Sequence, residues 1–197
     1  MNYLSDDAFR ELYNDEDFIH VKKVRDISIL LIGNNDEHVL TILQYCCMLH
    51  DVGKKIGKVT HDPRKHDIIG AEYFKADLRD QFKAELIKSG ITEENIDKDL
   101  HCIYCAILFH SGITGSMEKY PDLWKTLDPD SKNMIVTTYV SDTIAKALKK
   151  KNLIFGKWIK KDIVTTIYKR LHTNFPNEWM DIQKRAIALF DIITDLN

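Results

Sequence analysis

The hydrophobic residues of this chain recur at helical spacing, and that period limits most what the sequence can build. Val24, Ile27 and Leu31 share one helical face; so do Val39, Ile42, Leu43 and Cys46, and so do Leu100, Ile103 and Ile107. Only four prolines and eight glycines interrupt the 197 residues, so long helices can run between them. The period predicts helices over about 5–13, 16–32, 36–53, 66–88, 93–110, 131–150, 161–173 and 177–195. The expected fold is therefore all-α, a helical bundle in a single domain spanning 1–197.

Several of these stripes end in a residue type that a core does not call for. His20 continues the face of Val24, Ile27 and Leu31, and His50 with Asp51 beside it continues the face of Val39 to Cys46. His110 completes the face of Leu100, Ile103 and Ile107, and Asp142 follows Ile135 and Tyr139. Burying an imidazole or a carboxylate without a partner is costly. Any one of them alone reads as a hydrogen-bonded core histidine or an aspartate at a stripe edge. Four helices offering His, His-Asp, His and Asp to one interior ask for a common partner. A divalent metal meets the demand, because neutral imidazole nitrogens and carboxylate oxygens can converge on it in a shielded pocket.

The order His20, His50-Asp51 and a distant Asp142 resembles the H…HD…D signature of the HD superfamily of metal-dependent phosphohydrolases. His50-Asp51-Val52-Gly53-Lys54 is similar to the HD-x-GK form of that signature, and Ile19 to Val24 to its first helix. His66 to Glu72 resembles the H-x-x-x-GA helix start of subfamilies with extra metal-binding histidines. Phe109-His110-Ser111-Gly112 resembles their later H-x-G segment, and Val140 to Thr143 their final A-D-T strip. The likeness spans about residues 16–148, with C-terminal helices over about 149–197 expected to pack on that core through Trp158, Trp179 and Phe190. The chain lacks the HHE-x-x-DG-x-GYP run of cyclic-di-GMP phosphodiesterases, since Phe109 stands where one histidine would fall. It also lacks the acidic pair of (p)ppGpp hydrolases, having Gly53-Lys54 there. Around His50-Asp51, Lys54, His66 and His110 it is most similar to bacterial dinucleotide polyphosphate hydrolases, which carry Thr-Thr where this chain has Ser111-Gly112.

The resemblance implies one or two divalent ions, of Fe, Mn, Co, Ni, Zn or Mg. His20, His50, Asp51 and Asp142 would form a primary site, and His66 and His110 would complete a second, with Asp51 placed to bridge. It implies hydrolysis of a phosphoester or phosphoanhydride bond, in a nucleotide or a related small phosphate compound, by metal-activated water. Asp51 and Lys54 are the candidate catalytic residues, and Lys54, His61 and Ser111 the candidate substrate contacts. Lys54 lies one turn past Asp51, where its ammonium could neutralise phosphate or simply cap a helix end. Glu16, four residues before His20, is read as part of an acidic helix start. A non-catalytic nucleotide-sensing module and, less favoured, a nuclease are the competing classes.

Composition narrows the partners. A net charge of −2 provides no footprint for a long polyanion, so nucleic acid is not the expected partner. The four cysteines, Cys46, Cys47, Cys102 and Cys105, sit inside helical stripes without zinc-ribbon spacing and read as core thiols. The polar, acidic opening from Met1 to Asp17 does not look like a signal peptide, and no apolar stretch is long enough for a bilayer. A cytoplasmic protein without membrane contact is expected. Ser111 to Asp130, with two glycines and two prolines, is the longest irregular segment and lies between two candidate ligands.

Overall fold

The computed structural model describes residues 5–60, 66–112, 118–149 and 181–188. Helices form the framework, and no strand occurs among the described residues. A short helix α1 (Asp7–Arg10) is followed by α2 (Asp15–Ile32). The Asn14 side chain caps α2 by accepting the Asp17 amide at 2.9 Å, and Asp15, Glu16 and Asp17 place negative charge at the positive end of its dipole. Gly33, at φ 62°, ends α2 in the left-handed region that a Cβ disfavours. Asn34 and Asn35 do not cap the next helix, α3 (Glu37–Leu49); Asp36 does, accepting the Val39 amide at 3.1 Å. Asn34 instead accepts the Asp36 amide at 2.8 Å, which fixes the capping residue.

The sequence period runs through 36–53, but the helix does not. It breaks over His50, Asp51 and Val52 and restarts as α4 (Gly53–Thr60). Immediately after the break, the backbone of α4 approaches that of α5 (His66–Tyr73). A Cβ on Gly53 would overlap the His66 carbonyl oxygen and would stand 2.6 Å from the Gly70 nitrogen. Gly70 answers from the other side, where an added Cβ would stand 2.9 Å from the Gly53 nitrogen. Gly53, at the start of α4, and Gly70, within α5, thus let the two helix backbones touch.

The expected 66–88 helix is continuous but not uniform. Phe74–Leu78 form a π-turn before α6 (Arg79–Lys88). Phe74, Leu78, Phe82 and Leu86 are all buried. Their strict four-residue spacing outruns an α-helix, and one wider turn brings it back into line with the core. Then come α7 (Glu93–Phe109), α8 (Pro121–Thr126) and α9 (Pro129–Lys149). Part of the segment expected to be irregular is therefore helical, with Pro121 at the start of α8, where a missing N–H costs nothing.

The long helix α9 lies against α2, α3 and α7, and α3 also packs on α2 and α7. Leu31, Leu43, Met48, Ile103, Ile107, Val136 and Val140 fill the space between them. Residues 181–188 are helical and bury Ile182 and Ala186. The helix expected over 161–173, together with Trp158, Trp179 and Phe190, lies outside the described residues. No helix among the described residues is long and apolar enough to cross a membrane.

Candidate metal centre

Five helices deliver one side chain group each to a common interior point. His20 comes from the second turn of α2, and His50-Asp51 from the break after α3. His66 is the first residue of α5, His110 caps α7, and Asp142 projects from α9. His50, Asp51, His110 and Asp142 are at most 2% exposed and His20 is 8% exposed, while the His66 side chain, at 15%, is the part of the cluster open to solvent.

The distances divide it in two. His20 Nε2 lies 3.0 Å from Asp142 Oδ1 and 3.4 Å from Asp51 Oδ2. His50 Nε2 lies 3.2 Å from Asp51 Oδ2 and 3.6 Å from Asp142 Oδ1. On the other side, His66 Nε2 is 3.4 Å and His110 Nε2 is 3.2 Å from Asp51 Oδ1, and the two ring nitrogens are 3.0 Å apart. Asp51 therefore gives Oδ2 to one set and Oδ1 to the other. Within each set, His20, His50, Asp51 and Asp142 or Asp51, His66 and His110, ligand-type atoms lie within 4.8 Å of one another.

Backbone carbonyls determine which ring nitrogens face inward. His50 Nδ1 donates to the Cys47 carbonyl at 2.6 Å, and His110 Nδ1 donates to the Ile107 carbonyl at 2.7 Å. A carbonyl can only accept, so each Nδ1 carries a proton, and it is the Nε2 lone pair of the neutral ring that would face Asp51. Lone pairs then face carboxylate oxygens. His50 Nε2 and Asp51 Oδ1 are buried with no hydrogen-bond partner among the described residues. A cation between them removes the conflict, and outer-shell bonds from Nδ1 are how metal-binding histidines are normally held. The donor set fits a divalent ion.

Electrostatics point the same way. Burial opposes charge on His50, yet the carboxylates of Asp51 and Asp142 outweigh it and push its pKa up to about 9. Burial also opposes ionised Asp51 and Asp142, but the surrounding imidazoles hold both well below the usual carboxylate range, with Lys146 adding to the effect on Asp142. His110 is driven the other way, mainly by burial and in part by the neighbouring His50 charge. Protons thus occupy the positions where metal charge would serve.

Lys54 Nζ pairs with Asp51 Oδ2, in keeping with its expected place at the site. A second lysine was not among the sequence candidates: Lys146 Nζ lies 2.5 Å from Asp142 Oδ2. Its signal was the four-residue spacing from Asp142 along α9. Ser111 is exposed beside His110 and donates to Asp67 Oδ2 at 2.5 Å, so its hydroxyl is engaged with the first turn of α5. His61 lies outside the described residues. Glu16 is exposed in the first turn of α2, and His38 pairs with Asp99 at 2.9 Å, away from the cluster. All four cysteines are free and buried.

A cavity of about 340 Å³ opens elsewhere, between Phe74, Lys75, Arg79, Leu100, His101 and Tyr104. It includes none of the cluster residues, and Arg79 is already paired with Asp97 at 2.7 Å. The groups that could hold a metal ion lie in the buried cluster. No protein-family model matches this sequence, and neither does any curated protein or any solved structure.

Proposed function

We propose that this chain is an HD-type metal-dependent phosphohydrolase, cleaving a phosphoester or phosphoanhydride bond in a nucleotide or related small phosphate compound. One observation carries the proposal: a fully buried carboxylate, Asp51, divided between two histidine sets. An isolated structural His-Asp pair needs one acceptor and one donor, not four imidazoles around one aspartate. The H…HD…D order of His20, His50-Asp51 and Asp142 supports the same family.

His20, His50, Asp51 and Asp142 would hold a first divalent ion; Asp51, His66 and His110 would hold a second. Such ions lower the pKa of bound water and neutralise charge developing on a phosphoryl group. The residues of the chain supply the remainder. Nδ1–H bonds to the Cys47 and Ile107 carbonyls lock the His50 and His110 rings, so their lone pairs are already aimed before any ligand arrives. Burial excludes bulk water and strengthens every interaction inside. Lys54, partly exposed above Asp51, is placed to meet a phosphate oxyanion.

The test is elemental analysis of the purified chain together with a panel of nucleotides, phosphomonoesters and phosphodiesters. The expected result is about one to two divalent ions per chain and metal-dependent phosphate release. A chain that contains no metal and takes none up on titration would overturn the proposal. Metal uptake without turnover of any substrate would favour the nucleotide-sensing alternative.

A further inference from the structure

The two lysines of the cluster are arranged alike. Lys54 pairs with the Oδ2 of Asp51, and Lys146 pairs with the Oδ2 of Asp142. Asp51 Oδ2 and Asp142 Oδ1 both face His20 and His50. The ammonium groups therefore reach the two carboxylates of the four-residue set from different helices, Lys54 from α4 and Lys146 from α9. They are also the solvent-facing part of it: the Lys54 side chain is 26% exposed and that of Lys146 46%, over ligand-type residues that are almost fully covered. An anion arriving from solution meets the lysines first.

Charge then selects the anion. One divalent ion in the four-residue set would be balanced by the carboxylates of Asp51 and Asp142, leaving both ammonium charges over, and a second ion on Asp51, His66 and His110 would add two more. A dianionic terminal phosphate offsets twice as much of that surplus as a monoanionic phosphodiester does. We propose that Lys146 and Lys54 form a two-armed clamp for a terminal phosphate, seated on the His20–His50–Asp142 side of the cluster. This rests on the metal-centre reading above and goes beyond it by naming the end of the substrate that binds and the side it binds on. The His66–His110 side is then left for the attacking water.

A merely structural Lys146 would orient Asp142 and nothing else, and metal uptake separates the two roles. The chain is loaded with Mn(II), its metal content is measured, and inorganic phosphate and dimethyl phosphate are titrated in while Mn(II)-induced 31P relaxation is followed. In the wild-type chain, inorganic phosphate binds more tightly than dimethyl phosphate. In Lys146→Gln and in Lys54→Gln, the Kd for inorganic phosphate rises about tenfold or more, while dimethyl phosphate changes less. Mn(II) content stays at the wild-type level, and Lys146→Arg restores most of the phosphate affinity. Equal phosphate affinity in wild type and Lys146→Gln, or loss of Mn(II) in step with loss of phosphate, overturns the clamp alone. A wild-type chain that takes up no Mn(II) overturns the metal centre itself.

Discussion

Replacing Gly53 by alanine tests whether helix contact, and not ligand identity alone, builds the second half of the metal centre. The added methyl would overlap the His66 carbonyl oxygen and stand 2.6 Å from the Gly70 nitrogen and 2.8 Å from its Cα. All three obstacles are backbone atoms of α5, so no side chain can rotate away. Relief requires α4 and α5 to part by about 1.5 Å or more to reach ordinary contact distance. His66 rides on the first residue of α5 and starts 3.4 Å from Asp51 Oδ1 and 3.0 Å from His110 Nε2. Metal–ligand distances tolerate only about 0.2 Å, so the shift removes His66 from the set. Overpacking of this kind costs about 1–3 kcal/mol, which leaves the bundle folded. The expected Gly53→Ala protein has wild-type helicity, a lowered Tm and one tightly held ion, with affinity for the second reduced about 10–100-fold. Circular dichroism, thermal melts and metal titration read these outcomes together. A Gly53→Ala chain that binds two ions at wild-type affinity would refute the packing argument.

Asp51→Ala removes the carboxylate shared by both sets, so both ions and all turnover should be lost while helicity is retained; metal content and phosphate release measure this, and activity within a few-fold of wild type counts against the assignment. His66→Ala and His110→Ala should each lose one metal equivalent and most turnover while keeping the first ion; unchanged stoichiometry with a raised KM would mean a single-ion site with substrate contacts at these histidines. The pKa of His50, pushed up to about 9, gives the metal-free chain a contribution to stability that is fully present below about pH 6.5 and lost as pH rises through about 9. Urea titrations of metal-free chain across that range should show the decline. The same proton must leave before an ion binds, so apparent metal affinity at neutral pH should rise up to about tenfold per pH unit and level off near pH 9; affinity independent of pH between 6.5 and 8.5 would place the proton elsewhere.

The linear order of residues was enough to indicate the helical class and to mark out histidines and aspartates that could hold a metal ion. A period of 3.6 residues is a local property, and a histidine at a stripe position is visible without knowing what lies opposite. His20, His50, Asp51, His110 and Asp142 stand out for that reason, and the structure brings all of them into one buried cluster with His66. Periodicity could not show where a helix stops for reasons outside itself. The pattern runs on through His50 to Gly53, yet the helix breaks over His50 to Val52, just before Gly53 meets the α5 backbone, a contact that periodicity does not encode. The four-residue spacing of Phe74, Leu78, Phe82 and Leu86 was legible, but its outcome as a π-turn depended on the core those residues share. Lys146 reads in the sequence as part of a basic run, Lys146 to Lys151, at a solvated helix end, because a lysine four residues past an aspartate is ordinary on a helix surface. Only the packing of α9 on α2 and α3 turns Asp142 inward and brings Lys146 to the site with it. The division of Asp51 between two sets is likewise tertiary, since which oxygen faces which ring depends on how five helices meet.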